Sequence, residues 1–219
     1  MPTQDSLGGA RPFARLRELA RRDPPAEHCD LCGQALAEHH DHLMEPAARR
    51  LLCACGACAV LFSGQTGGKY KRVPRQVRML EDFELTDAQW DSLRLPINLA
   101  FFFYSSPQSK MIACYPSPAG ATESLLPLDA WEEVAQANPL LAGMEPDVEA
   151  LLVNRVGYAR GLAPAEYFLA PADQCYRLVG IIRTRWKGLS GGTDVWRDIA
   201  RFFSDLRTEA GAGAGGVNA

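Results

Sequence analysis

The pattern of apolar positions predicts two helices in the C-terminal third of the chain. Starting at Cys175, residues 171–188 repeat apolar side chains at spacings of four, three and four, which is typical of one helix face. Residues 193–207 carry a second apolar face of the same period, and Thr193 is the expected N-cap residue. The two helices should therefore pack one apolar face each against a common core.

The middle of the chain contains β-rich runs. Residues 97–106 and 110–117 are aromatic or apolar and are separated by a turn at Pro107, so we expect two antiparallel strands. Residues 148–156 are short enough to favour a strand over a helix, and residues 165–171 read as another short strand.

Two shorter helices are predicted from residues at their ends. Thr86 and Gln89 have the spacing of a capping box, which would open a helix that ends before Pro96. Asp129 is the expected N-cap of a helix that ends before Pro139. Because strands are grouped with helices and do not alternate with them strictly, the fold class is predicted to be α+β.

Cysteines and basic residues change the pattern in the N-terminal half. We expect residues 27–80 to form a small zinc-ribbon-like β segment. Its second half is predicted to be a hairpin, in which residues 58–64 and 69–80 pair around a turn at Gly67–Gly68.

These patterns predict four parts along the chain. Residues 1–26 are polar and partly disordered, with a short amphipathic helix at residues 11–22. The zinc-ribbon-like segment, residues 27–80, is followed by an α+β domain at residues 81–208, with a mixed antiparallel sheet and C-terminal helices. The Gly-rich residues 209–219 have little to bury and are expected to be disordered.

Composition limits the function classes. The 219 residues carry a formal net charge of −3, which is too small to indicate a nucleic-acid or acidic-substrate partner. No run approaches the roughly 20 apolar residues that span a bilayer, and the first 25 residues lack the apolar core of a secretory signal. Five of the seven cysteines fall within residues 29–58, unlike a disulfide framework. We therefore expect a cytoplasmic protein with reduced thiols and no membrane insertion.

The strongest chemical pattern consists of two C-x2-C pairs. Cys29 and Cys32 form the first pair, and Gly33 supplies the backbone freedom that the turn after it needs. After 22 further residues, Cys55 and Cys58 repeat the same gap. Four thiolates in a tetrahedron predict zinc, with a single rubredoxin-like iron as the alternative. Zinc is favoured because a small segment with little core gains folding energy from the metal.

A fifth cysteine and several histidines lie close to these pairs in sequence. Cys53 is interpreted as a buried thiol, an alternative ligand or a redox-active spare beside the metal. His42, just before an apolar pair, is a candidate outer-shell group or substitute ligand. The other histidines are assigned to a solvated loop, and Cys114 and Cys175 to the apolar core.

Basic residues follow the second cysteine pair. Together with Tyr70 they resemble a nucleic-acid surface, but a charged edge strand has the same composition and is the favoured interpretation. They are Lys69, Lys71, Arg72, Arg75 and Arg78. No Ser-His-Asp order, phosphate loop or pair of catalytic carboxylates stands out in the sequence, which favours a protein without enzymatic activity.

Several longer stretches give a resemblance. CDLCG, LLCACGACAVLF, YPSPAGATESLLPLDAWEEV, EPDVEALLVNR and CYRLVGIIRTRWKGLSGG resemble a bacterial domain family of unknown function that is frequent in actinobacteria. The resemblance covers roughly residues 28–207 and includes the four-cysteine segment. Genes of that family tend to stand beside genes of nickel–iron hydrogenases, so the resemblance implies an accessory or assembly role and a protein partner such as a hydrogenase subunit or maturation factor.

Three functional hypotheses follow. The first is a zinc-containing accessory protein that acts through protein–protein contacts. The second is an iron electron carrier or redox module, in which iron or Cys53 would be active. The third is a nucleic-acid-binding zinc ribbon that uses Arg72, Arg75 and Arg78.

Overall fold

The computed structural model describes residues 27–63, 68–125, 127–188 and 190–214. Within these residues the fold is α+β, with antiparallel sheets, C-terminal helices and a cysteine-rich N-terminal segment, as predicted. The predicted helix at residues 11–22 and the turn residue Gly67 lie outside the described residues.

Nine strands form two sheets in the described part of the chain, and every strand pair is antiparallel. The strands are β1 (Asp41–Glu45), β2 (Arg50–Ala54), β3 (Lys71–Arg72), β4 (Arg78–Met79), β5 (Leu99–Ser105), β6 (Lys110–Ser117), β7 (Gly120–Ser124), β8 (Glu149–Asn154) and β9 (Glu166–Pro171). The smaller sheet has the order β2-β1-β3, and the larger sheet has the order β4-β9-β8-β5-β6-β7.

Five α-helices pack around these sheets in the same residues. They are α1 (Gly56–Ser63), α2 (Asp87–Ser92), α3 (Leu128–Ala137), α4 (Ala172–Arg185) and α5 (Gly192–Ala214). Single 3-10 turns follow α3 at Pro139–Gly143 and β8 at Tyr158–Arg160. None of the described helices is both long enough and apolar enough to cross a membrane.

The larger sheet separates two apolar cores because successive side chains of a strand point to opposite faces. Phe101 faces the core that α4 and α5 cover, where it packs with Phe168 and Phe203. Phe102 faces the other core, under α2 and α3, and stacks on Trp131 with ring centroids 5.0 Å apart. The strands predicted at residues 97–106, 110–117, 148–156 and 165–171 are thus confirmed as β5, β6, β8 and β9.

The helix ends agree with the predictions in part. The capping box is present, since the Gln89 N–H donates to the Thr86 hydroxyl and the Gln89 side chain accepts from the Thr86 N–H. Asp129 is wrong as an N-cap, because the helix begins two residues earlier than predicted, at Leu128 after Pro127. Thr193 is wrong as an N-cap because α5 already begins at Gly192.

The expected disorder at residues 209–219 is wrong for residues 209–214, where α5 continues to Ala214. Ala210 is buried in the core that α4 and α5 share, so the last turns of the helix gain packing as well as good helix propensity from alanine. The Gly-rich sequence of these residues gives no indication that Ala210 packs in the core.

The predicted hairpin of residues 58–64 and 69–80 is also wrong. The first run is the helix α1, and the basic residues after it form two separate strands. β3 pairs with β1 in the smaller sheet, whereas β4 pairs with β9 and belongs to the larger sheet. A short continuous apolar run fits a buried helix and a buried strand equally well, so periodicity did not distinguish them.

An apolar cluster and an ion pair join the small sheet to the body, which is the larger sheet with the helices that cover it. Met44 and Val73 from the small sheet pack against Val148 and Ala172 from the body, and all four are buried. Beside them the Lys71 Nζ lies 2.7 Å from a carboxylate oxygen of Asp147, whose side chain is only 4% exposed.

A hydrogen bond from the backbone of Ser106 and the backbone conformation of Asp147 itself also hold this residue in place. Its other carboxylate oxygen accepts a hydrogen bond from the Ser106 N–H at 2.8 Å, and its φ of +72° is a left-handed conformation that Asp and Asn tolerate best among residues with a side chain. Asp147 therefore anchors β3 to the rim of the larger sheet.

Replacing Asp147 with Asn should test this anchor, because Asn keeps the backbone preference and the Ser106 acceptor but removes the charge. We expect Asp147→Asn to lower the free energy of unfolding by about 1–3 kcal/mol, the usual cost of losing a buried charged partner. Urea unfolding of the metal-loaded protein measures it. Glu132→Gln on the exposed side of α3 is the control and should change stability by less than about 0.5 kcal/mol. Equal midpoints for the two variants would contradict the anchoring role.

Candidate metal centre

The first cysteine pair forms a tight turn. The Gly33 N–H donates to the Cys29 carbonyl at 2.8 Å, and Gly33 has a φ of +76°. An L side chain rarely adopts this angle, so glycine is favoured directly after the second ligand. The expectation for Gly33 is confirmed, and the turn directs Cys29 and Cys32 to one point.

The second cysteine pair lies at the start of a helix, whereas the first pair lies in a tight turn. Cys55 precedes α1, and its carbonyl accepts the first helical hydrogen bond from the Ala59 N–H at 2.9 Å. Gly56 is the first helical residue, and Cys58 lies in the first turn. A helix N-terminus has a partial positive charge that favours thiolates.

The hairpin of β1 and β2 brings the two pairs together. The Asp30 N–H donates to the Cys53 carbonyl at 2.9 Å, and the Cys53 N–H donates to the Asp30 carboxylate at 2.7 Å. These two bonds fix the turn of the first cysteine pair to Cys53. Cys53 lies near the end of β2, two residues before Cys55.

The four sulfur atoms lie within 4.8 Å of one another. Cys32 Sγ and Cys55 Sγ are 3.7 Å apart, and all four cysteines are free thiols in the structure. Cys29, Cys55 and Cys58 are buried, whereas Cys32 is exposed at the surface. Four soft ligands at one point are the donor set of tetrahedral zinc or a single iron.

The surroundings of the thiols shift their pKa values in opposite directions. Burial opposes ionisation of Cys29, but hydrogen bonds from the backbone at Cys55, Leu31 and Cys32 outweigh burial and lower its pKa to about 6. Burial together with the neighbouring sulfurs raises the pKa of Cys58 to about 12. The Cys58 thiol therefore keeps its proton at neutral pH in the absence of a cation, and a bound metal ion would displace it.

Cys53 and His42 lie outside this group. They are direct partners in the β1–β2 register, and their ligand atoms lie within 4.8 Å of each other and of His40. The sequence predicts a solvated loop at His40, but the His40 side chain is only 7% exposed. The available signal was its spacing of two residues from His42, which puts both rings on one side of an extended chain.

Cys114 and Cys175 are core residues, as expected. Both are buried in the apolar cluster under α4 and α5. Burial raises the pKa of Cys114 to about 12 and raises that of Cys175 further above its ordinary range. These two thiols are therefore protonated at neutral pH and are not candidate metal ligands.

The basic residues after the second pair have carboxylate partners. Arg72 and Arg75 both contact the buried Asp41, at 2.9 and 2.8 Å. Burial would raise the pKa of Asp41, but the two guanidinium groups more than compensate and lower it. Lys69 contacts Glu45 at 3.1 Å. Carboxylates of the same segment thus pair with much of this positive charge, and these ion pairs hold β3 against β1.

Comparison with known proteins places the chain in a family. Residues 28–210 match the model of a family of unknown function, DUF5947, which confirms the resemblance to an uncharacterised domain family. No curated protein and no solved structure matches the chain. Since the matched region contains the four-cysteine centre and nearly all of the described body, the chain belongs to this family of unknown function, DUF5947.

Proposed function

We propose that the protein is a metal-binding accessory protein whose four-cysteine centre holds a structural zinc ion and whose surface binds a protein partner. The observation that carries this proposal is the approach of the Cys29, Cys32, Cys55 and Cys58 sulfurs to within 4.8 Å of one another. Four protein ligands complete a tetrahedron and leave no position for water or substrate, which is typical of structural zinc.

The size of the local core supports a structural role. The buried cluster around the centre consists of the cysteines with a few small or aliphatic residues, namely Leu43, Leu52, Ala54 and Ala59. A cluster of this size contributes little apolar burial, so metal binding would supply much of the folding free energy of the segment. The metal would then maintain the shape of the surface around it.

That surface has an apolar patch beside the centre. α1 exposes Val60 and Leu61, at 65% and 66%, together with Phe62 at 42%. Three adjacent apolar residues on a helix that begins at a metal ligand favour a protein partner over nucleic acid, which requires basic and polar contacts. The carboxylate partners of Arg72 and Arg75 favour the same conclusion.

A link to nickel–iron hydrogenases gives this proposal its cellular context. It is supported by the sequence resemblance alone, and it would make the partner a hydrogenase subunit or a maturation factor in the cytoplasm. The apolar patch of Val60, Leu61 and Phe62 is the surface we assign to that contact.

Removing one ligand should release one metal ion. We expect Cys58→Ala to lose one equivalent of zinc per chain and to lose hydrogen-exchange protection across β1, β2 and α1, because the pairs are then no longer connected. Cys114→Ala, a cysteine of the body core, is the matched control and should keep its zinc. Elemental analysis decides between these outcomes, and unchanged zinc in Cys58→Ala would disprove the four-cysteine assignment.

The identity of the metal can be tested by colour. Zinc has a filled d shell, so the protein purified from its native host should be colourless and should show no reversible redox wave. A red protein that dithionite bleaches would contain ferric tetrathiolate iron. That result would replace structural zinc by the electron-carrier hypothesis.

The partner surface can be tested by charge insertion. We expect Leu61→Glu to reduce co-purification with a hydrogenase subunit or maturation protein at least about tenfold, since a buried unpaired carboxylate costs more than the 1.4 kcal/mol that tenfold represents. Leu162→Glu, at a residue that is 77% exposed in the body, is the control and should bind normally.

Deletion of the gene should lower hydrogenase activity without removing the hydrogenase transcript. Normal activity in the deletion strain, combined with salt-dependent binding of the purified protein to nucleic acid, would refute the accessory role and support the third hypothesis.

A further inference from the structure

A second group of metal-ligating side chains lies on the hairpin that supports the four-cysteine centre. His42 in β1 is directly opposite Cys53 in β2, and His40 precedes β1 by one residue. The ligand-capable atoms of the three side chains lie within 4.8 Å of one another, and the ring centroids of His40 and His42 are 4.7 Å apart. Residues at i and i+2 of an extended chain share a face, which explains how both rings meet the thiol.

Each ring has one nitrogen already in use. The His40 Nδ1 lies 3.0 Å from the Ala37 carbonyl, and the His42 Nδ1 lies 2.9 Å from the Asp173 carboxylate. In the neutral tautomer that donates through Nδ1, Nε2 of each ring carries a free lone pair. Two imidazoles in this tautomer beside a thiol form a ligand set for a borderline transition metal.

His40 provides independent evidence that this group is built to bind. Its side chain is 7% exposed, and its Nε2 is buried without a hydrogen-bond partner among the described residues. Burial of a polar atom without a partner carries a free-energy cost. A metal ion bound to Nε2 would remove this cost, whereas the group without an ion leaves it uncompensated.

The contact between His42 and Asp173 has the form of the outer shell of known metal sites. Asp173 lies in the first turn of α4, and its second oxygen accepts from the Gln174 N–H at 2.8 Å. Metal-bound histidines commonly donate their other N–H to a carboxylate, which fixes the ring orientation and makes the ligand more basic. Here the carboxylate comes from the body, 131 residues further along the chain.

We propose that Nε2 of His40, Nε2 of His42 and Sγ of Cys53 bind a second divalent metal ion of the zinc class. On binding, the metal–sulfur bond replaces the Cys53 S–H bond, and the proton passes to solvent. Three protein ligands leave a fourth position for water or an exogenous ligand, so this site is open, unlike the four-cysteine centre. The two rings line a surface cleft that also contains Asp173, Arg177 and Glu209, through which a ligand can enter.

Metal counting on the full-length protein tests this proposal. After saturation with Zn²⁺ and dialysis, we expect two equivalents per chain in the wild type. The variants His42→Ala and Cys53→Ala should each keep one equivalent, because the four-cysteine centre remains filled. That retained ion also shows that the variant is folded. His39→Ala, an exposed neighbour in the same loop, is the control and should keep two.

The roles of the two sites can be separated in the same assay. Cys58→Ala should lose one equivalent and keep the ion that depends on His42. If Cys58→Ala keeps both ions, the structural-zinc proposal fails and the second site stands. If the wild type holds one ion that does not depend on His40, His42 or Cys53, the second site is disproved.

Two further measurements identify the ligands. With zinc in the four-cysteine centre, a second equivalent of Co²⁺ should produce a sulfur-to-cobalt charge-transfer band that is absent in Cys53→Ala. Asp173→Asn should raise the dissociation constant of this second ion about 10–100-fold while leaving its stoichiometry at saturation unchanged. A cobalt band that persists in Cys53→Ala, or an unchanged affinity in Asp173→Asn, would overturn the assigned ligation.

Discussion

Four sulfur atoms cannot share a space of a few ångströms as four anions unless a cation neutralises them, and the N-terminal segment is arranged around this requirement. The thiols of Cys29 and Cys58 have pKa values shifted to opposite sides of the ordinary value, so the centre without metal retains protons. A bound metal ion would neutralise the sulfurs and would stabilise a segment whose apolar cluster is small. The turn at Cys29–Cys32, the β1–β2 hairpin and the start of α1 meet at these sulfurs, so all three would gain stability from the ion.

The body contributes rigidity to the segment. Its six-stranded sheet is covered on both faces, and its rim supplies Val148 and Asp147 to the joint with β1 and β3. Asp173 reaches from α4 to His42 on the same side of the molecule. Among the described residues, the small segment thus contacts the body through an apolar patch with an ion pair, through His42 and through the Arg49–Glu123 ion pair. Its ligands are held by elements that are remote in sequence.

Features that depend on local spacing could be predicted from the sequence. The cysteine pairs, the glycine after the first pair, the capping box at Thr86 and the apolar strands of the body all follow from neighbouring residues. The helix α1 was missed because its uninterrupted apolar run, residues 57–62, carries no period that separates helix from strand. His40 was missed because its surroundings depend on the fold, and the partner of the adjacent His42 lies 131 residues away. Likewise, composition favoured a charged edge strand for the basic stretch but gave no sign of its partner Asp41, which the fold brings to Arg72 and Arg75.

The paired hydrogen bonds between Asp30 and Cys53 have a thermodynamic consequence. Asp30 lies inside the turn of the first cysteine pair, between two ligands of the four-cysteine centre, while Cys53 belongs to the proposed second site. Ordering of the first cysteine pair by one ion would therefore be transmitted to a ligand of the other ion through one backbone–backbone hydrogen bond and one accepted by the Asp30 carboxylate. Such a connection is a coupling free energy, and it is reciprocal: each ion would change the dissociation constant of the other by the same factor. Two sites that share no ligand atom would then fill as a cooperative pair.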